Sequence, residues 1–237
     1  MNVLAFDICF GAVSAAVRRR TAGGGWELRE AYEERASGQA ERLFPMIAEV
    51  MDGAGLASSA IDRIAVTLGP GTFTGVRVGI SAARALALAT GKPVVGVTSL
   101  AAMALRAEEA LGEQLGGRPL IVVVDARRGA LYVQSFAAGG RETSDACLLA
   151  PEEVALRIGP EPVAVVGSGA SAVAAAAHGR AGAVEALLPD LQPHARTLAK
   201  IAIGLAPIAP VRPLYLRVPD AKEQGDARLG TSNHEPR

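Results

Sequence analysis

Two stretches of this chain place an aspartate and a glycine four residues apart where an apolar run turns: Asp7 with Gly11, and Asp125 with Gly129. A strand that ends in such a turn presents backbone N–H groups to a phosphate, and an aspartate beside them can hold Mg²⁺ through water. Asp7 and Asp125 would then face each other across a central cleft. The same aspartate can instead accept a hydrogen bond from its own turn, and residue types do not separate the two roles. A third stretch, Gly69-Pro70-Gly71-Thr72-Phe73-Thr74-Gly75, sets three glycines ahead of an apolar helical pattern. Such a loop lets a phosphate approach the N–H groups that open a helix. It is not a P-loop, because Val76 stands where Gly-Lys-Ser/Thr would continue. Taken alone it reads better as a tight strand-to-helix turn capped by Thr72 or Thr74.

Other chemistry has little to work with. The three histidines, His178, His194 and His234, are never paired at metal-ligand spacing. Cys9 and Cys147 cannot make a disulfide framework and read as free thiols in a reducing compartment. With no Ser/His/Asp or Cys/His constellation, no catalytic residue and no metal ligand is assigned. Lys plus Arg equals Asp plus Glu at 24 each. A domain that grips nucleic acid unaided is normally basic, so this chain is not expected to be a stand-alone clamp. The apolar start carries Asp7 inside it and Arg18, Arg19 and Arg20 after it, unlike a secretory signal. No run reaches about 20 apolar residues. The expectation is a cytoplasmic, soluble chain.

The elements that must position these residues follow from periodicity. Val3–Cys9, Ala12–Val17 and Trp26–Glu34 read as three strands joined by tight turns. Gln39–Ala54 is helical in pattern, Ile64–Leu68 a buried strand, Val76–Thr90 a helix, Pro93–Val97 a strand and Ser99–Leu111 a helix. The order then restarts with Leu120–Asp125 and Leu131–Phe136. Val163–Val166 follows, running into Gly167-Ser168-Gly169 and an alanine-rich helix. This is the mark of a divergent internal duplication with a trimmed second copy. It predicts an α/β fold of two related mixed-sheet halves, 1–115 and 116–218, followed by a mobile polar tail, 219–237. Both first-half helices carry wide apolar arcs: Leu43, Met46, Ile47 and Val50 on one; Val76, Gly79, Ile80, Ala83 and Ala87 on the other. One sheet covers one side of a helix, so these residues are expected to meet another protein chain, with Gly79 and Ala83 allowing close approach. The alternative is that the two helices cover each other.

Several motifs in order carry a family resemblance: Leu4-Ala-Phe-Asp7, Glu41 to Ile47, Gly69 to Ile80, Gly96-Val-Thr-Ser-Leu100, Asp125-Ala-Arg-Arg-Gly129 and Pro213-Leu-Tyr-Leu-Arg217. The chain resembles the TsaB (YeaZ) family, in the glycoprotease-like superfamily. The resemblance implies the actin-like ATPase (ribonuclease H-like) fold and a part in making N6-threonylcarbamoyladenosine (t6A) beside the tRNA anticodon. It implies a non-catalytic dimerisation subunit that binds the TsaD transferase through its first-half helices. TsaE, an ATPase, joins the complex, and the chain alone self-associates through the same surface. Contact with tRNA would come through the complex. No cofactor is required, and ATP or ADP would rest on vestigial loops at Asp7, Gly11, Gly69, Gly71, Gly75 and Asp125. Where the family commonly has Asp-Thr-Ser, this chain has Asp7-Ile8-Cys9, which removes a phosphate-facing hydroxyl. Gln39 stands where many members carry histidine. The competing readings are an actin-like ATPase or kinase using Asp7, Asp125 and the glycine loops, and, remotely, a glycoprotease.

Overall fold

The computed structural model describes residues 1–179 and 183–217; the tail expected at 219–237 lies outside the described residues. The first half opens with the strands β1 (Val3–Asp7), β2 (Ala12–Arg20) and β3 (Trp26–Glu34). Helix α1 (Gln39–Gly53), strand β4 (Arg63–Thr67), helix α2 (Phe73–Thr90), strand β5 (Val94–Val97) and helix α3 (Ser99–Leu111) follow. The second half runs β6 (Leu120–Asp125), β7 (Leu131–Ala137), β8 (Arg141–Glu142), β9 (Cys147–Leu149) and α4 (Pro151–Arg157). It closes with β10 (Val163–Val166), α5 (Ala170–Ala176), β11 (Val184–Leu187) and α6 (Ala195–Ile201). Helix α2 begins three residues before the expected Val76, because the Thr72 hydroxyl accepts from the Gly75 N–H at 3.1 Å and caps it.

Each half builds a mixed sheet on the same plan. The first sheet is ordered β3-β2-β1-β4-β5, with β1 antiparallel to β2 and parallel to β4. The second is ordered β11-β10-β6-β7-β8, with β9 also on β7. There β6 is antiparallel to β7 and parallel to β10. So β6, β7 and β10 repeat β1, β2 and β4, as the restarted sequence order requires. The match extends to backbone detail: Gly69 after β4 and Gly167 after β10 both adopt φ +96°, which favours glycine.

The layers explain the runs of buried residues. Alternate side chains of β1 and β2 (Leu4, Phe6, Val13, Ala15 and Val17) face α1 and α2. The opposite face, with Val3, Ala5 and Ala16, meets α3 and α6. The same central cluster takes in Leu120, Val122 and Phe136, so α3 and α6 are shared between the two sheets. Ile121, Val123 and Val133 pack outward under α4 and α5. Helix α6 follows the second sheet in sequence but anchors to the first. The Ala195 N–H donates to the buried Ser14 hydroxyl at 3.0 Å, and Arg63 donates to the Leu205 carbonyl at 2.6 Å. Among the described residues no helix is long and apolar enough to cross a membrane.

Candidate functional site

Asp7 ends β1 only 1% exposed. Its Oδ1 accepts from the Cys9 N–H at 3.2 Å and from the Thr67 hydroxyl at 2.5 Å, and the Cys9 thiol donates to Thr67 at 3.0 Å. The other carboxylate oxygen, Oδ2, is buried without a partner. Burial therefore pushes the Asp7 carboxyl above its ordinary value, against the lowering effect of the Thr67 and Cys9 bonds. Burial, then the Asp7 charge, pushes the Cys9 thiol well up, so the nucleophilic thiolate is disfavoured.

The glycine loop lies directly on this turn. A Cβ on Gly71 would stand 2.5 Å from the Cys9 carbonyl oxygen, and one on Gly75 2.1 Å from the Ile8 carbonyl oxygen. The Thr72 N–H donates to the Cys9 carbonyl at 2.8 Å. These glycines give way to the protein's own backbone, and the Thr72 N–H and the Gly75 N–H are already engaged. The Thr72 and Gly75 N–H groups are therefore not free to receive a phosphate. Gly69 belongs to the same loop, its carbonyl accepting from the Ser99 N–H at 2.9 Å. The N–H of Gly11 turns to the Gln192 side chain instead, at 3.0 Å.

Asp125 is exposed and caps a separate turn. Its Oδ1 accepts from the Arg127 N–H at 2.7 Å, as Asp7 accepts from Cys9, and its own N–H donates to the Ser168 hydroxyl. The structure thus gathers Asp7, Gly69, Gly71 and Gly75 around Ile8 and Cys9, and gives Asp125 its own partners in the second half. Among the described residues no group of three or more His, Cys, Asp or Glu is placed to hold a metal ion.

The expected partner-facing residues are placed inside the protein. Leu43, Met46, Ile47, Val50, Val76, Ile80 and Ala83 are 6% exposed or less and pack in the core under the first sheet. Gly79 is buried too, facing Ile8 and Val66 side chains at 3.7 Å. Ala87 is half-buried against the same core. The correction has a simple cause: the widest apolar arc of each helix is the one the sheet covers. Outward, α1 shows Phe44 at 49% exposure and Ala48, while α2 shows Phe73 at 49% and Leu88 at 89%.

Sequence reasoning also missed what the polar side chains of α2 do. Arg77 stacks over Phe73 at 3.3 Å and donates to the Tyr215 hydroxyl at 2.7 Å. Arg84 donates to the Val211 carbonyl. Together with the Leu214 N–H on the Leu68 carbonyl at 2.7 Å, they fasten the segment 208–217 across the helix. Arg77, Ser81 and Arg84 are four and three residues apart, one stripe along α2, and the partners of the two arginines lie more than 120 residues away in the chain.

Two mixed sheets on one strand plan, with helices on their faces, define a class, the actin-like ATPase (ribonuclease H-like) fold. The comparisons narrow it. The model of the family "TsaD: tRNA N6-adenosine threonylcarbamoyltransferase" matches residues 33–206. The chain is 34% identical over 221 residues to an uncharacterized protein of Mycobacterium tuberculosis, covering 93% of this chain and 94% of that one. It is 33% identical over 135 residues to the tRNA threonylcarbamoyladenosine biosynthesis protein TsaB of Escherichia coli, covering 56% of this chain and 53% of TsaB. The solved structure of YeaZ from Pseudomonas aeruginosa superposes with a TM-score of 0.75 at 32% identity, over 91% of this chain and 99% of that one. The chain belongs to the TsaB/YeaZ family.

Proposed function

We propose that this chain serves in tRNA threonylcarbamoyladenosine biosynthesis as a non-catalytic subunit that binds and activates a TsaD-type transferase. The observation that carries the reading is the self-closed turn at Asp7: the glycine loop that could receive a phosphate is engaged at Gly71, Thr72 and Gly75 by Ile8 and Cys9. Family membership supports the pathway, and the exposed apolar side chains of α1 and α2 support a partner surface. A TsaE-type ATPase completes the assembly, and the chain alone pairs with itself through the same helices. The division into halves at 115/116 belongs to this proposal, with the partner surface on the first. Leu88 and Phe44 are exposed apolar side chains that a partner would cover.

The test is tRNA threonylcarbamoylation in a mix of the adenylate-forming enzyme, TsaD and TsaE from one organism, with and without this chain. Modification that depends on the chain is the expected result; equal modification without it removes the proposal. In the same mix, Leu88→Glu with Phe44→Glu lowers affinity for the transferase by about 30-fold or more, the loss of about 2 kcal/mol typical of a buried anchor. The fold stays intact because neither side chain is in the core. Binding unchanged by the double variant, measured by calorimetry, counts against these helices. Calorimetry of the chain alone with Mg-ATP at millimolar concentration gives no binding heat; a saturable signal sinks the nucleotide-free reading.

A further inference from the structure

The run Arg18-Arg19-Arg20 has no place in the scaffold role, and the hairpin of β2 and β3 sorts it by face. Successive strand residues point to opposite sides. On one side Arg19 pairs with Glu27 at 2.7 Å, and Glu27 also holds Arg29 at 2.8 Å, so that side is neutralised. On the other, the register sets Arg20 opposite Trp26 and Arg18 opposite Leu28. The guanidinium carbons of Arg18 and Arg20 lie 4.1 and 4.8 Å from the centre of the Trp26 ring. Trp26 is 39% exposed. Among the described residues neither arginine has a carboxylate within ion-pair distance; Arg18 donates to the Lys200 carbonyl and Arg20 to the Gly24 carbonyl. Burial and the neighbouring Arg20 charge both act against the Arg18 cation, so two like charges stand together uncompensated.

The positive surface continues along α6. Lys200 and Arg196 are one turn apart, and a groove of 250 Å³ beyond them is lined by Arg106, Glu109, His194 and Arg196. Arg106 lies over the Tyr32 ring at 5.2 Å. Three carboxylates intervene: Glu30 on Arg196 at 3.0 Å, Glu109 on Lys200 at 2.7 Å, and Glu34, which accepts from the Tyr32 hydroxyl at 3.0 Å. Five cations therefore face three anions, on a chain whose formal net charge is zero.

We infer that this face, from Trp26 with Arg18 and Arg20 to the α6 groove, binds the backbone of single-stranded or loop RNA. Arginines two residues apart on a strand are roughly 7 Å apart, comparable with successive phosphates of one strand. A guanidinium stacked on an indole keeps its N–H edge for phosphate, and the exposed part of Trp26 offers a surface on which a base stacks. A lipid surface is the poorer occupant, since Ala195, Leu198 and Ala199 of α6 are buried and Ile201 is half-buried against the core, leaving no broad apolar flank to enter a bilayer. This surface departs from the expectation that tRNA is met through partners alone. It does not rest on the transferase-binding proposal, because it uses the other side of the first sheet.

The experiment is fluorescence anisotropy of the full chain, without transferase, on a labelled anticodon stem-loop RNA between about 50 and 200 mM salt. The wild type binds with an affinity that falls steeply with salt. Arg18→Glu with Arg20→Glu weakens binding by tenfold or more and flattens the log–log salt slope by about 2, one per lost phosphate contact. Trp26→Ala weakens it by on the order of tenfold, the stacking of one base. Arg157→Glu, on α4 across the molecule, leaves binding unchanged. Arg20→Gln alone, at an exposed position, gives the same direction should the double variant fail to fold by circular dichroism. The inference is overturned by absent RNA binding at low salt, or by folded arginine variants that bind as the wild type does. It is also overturned by binding to phosphatidylserine vesicles without binding to RNA. Failure here leaves the modification assay unaffected, so the two proposals fail separately.

Discussion

Gly75→Ala unfolds the protein or removes about 3 kcal/mol or more of its stability in urea denaturation. The new Cβ would stand 2.1 Å from the Ile8 carbonyl oxygen and 2.6 Å from the Thr72 hydroxyl. The first obstacle is backbone, held by β1 and by the Thr72 N–H bond to Cys9, so it cannot turn aside as a side chain would. Overpacking a tight interior costs about 1–3 kcal/mol and more where backbone must move. Alanine's better helix propensity returns at most about 1 kcal/mol. The comparison that isolates the cause lies one helical turn on: a Cβ at Gly79 meets Ile8 and Val66 side chains at an ordinary 3.7 Å. Gly79→Ala is therefore neutral or stabilising by up to about 1 kcal/mol. If Gly75→Ala stays within about 1 kcal/mol of the wild type, the loop does not close on the turn as described. Loss of function in Gly75→Ala is thus evidence of a broken turn, not of a lost phosphate site.

Acid weakens the protein through His194. The ring is 4% exposed, stacks on Tyr32 at 4.9 Å, and uses Nδ1 to accept from the Arg196 N–H at 3.1 Å. Burial first, then the charges of Arg106, Arg196 and Lys200, pull its pKa down to about 4. Glu30 and Glu109 face the same region but are each tied to one of those cations. The unfolded chain takes up the proton near pH 6.5, the folded protein only near 4. Between those values the unfolded state holds more protons, so stability falls as pH falls, by up to about 3 kcal/mol. Asp7 acts in the opposite sense. Its folded-state value is raised, so its contribution is present in acid and is lost as pH rises. The difference between wild type and His194→Asn, which keeps a helix cap, isolates the histidine. Denaturation midpoints at pH 7.5 and 4.5 should diverge between the two proteins. Parallel midpoints remove the claim that His194 is buried neutral.

The strands and helices of the first half, and the restart at Leu120, were legible because apolar periodicity is local and each element keeps its own period. The paired aspartate turns were legible for the same reason, since Asp7 with Cys9 and Asp125 with Arg127 are contacts two residues long. What the glycines approach was not legible: Gly71 and Gly75 lie more than sixty residues from the carbonyls they meet, and a sequence shows missing side chains but not what fills the space. That the apolar arcs expected to meet a partner are core was not legible for a related reason. Periodicity finds the broadest apolar arc, and in Leu43, Met46 and Ile80 that arc faces the protein's own sheet. The exposed residues, Phe44 and Leu88, belong to the same helices, and periodicity does not tell them from the buried ones. The charge balance of the whole chain hid the Arg18–Arg20 face in the same way, because a net of zero is a sum over both sides of a hairpin. The sequence by itself determined the element order of the first half, the restart of that order and the family. Only the tertiary structure decided which faces are spent on the core and which remain for partners, because that depends on contacts between residues far apart in the chain.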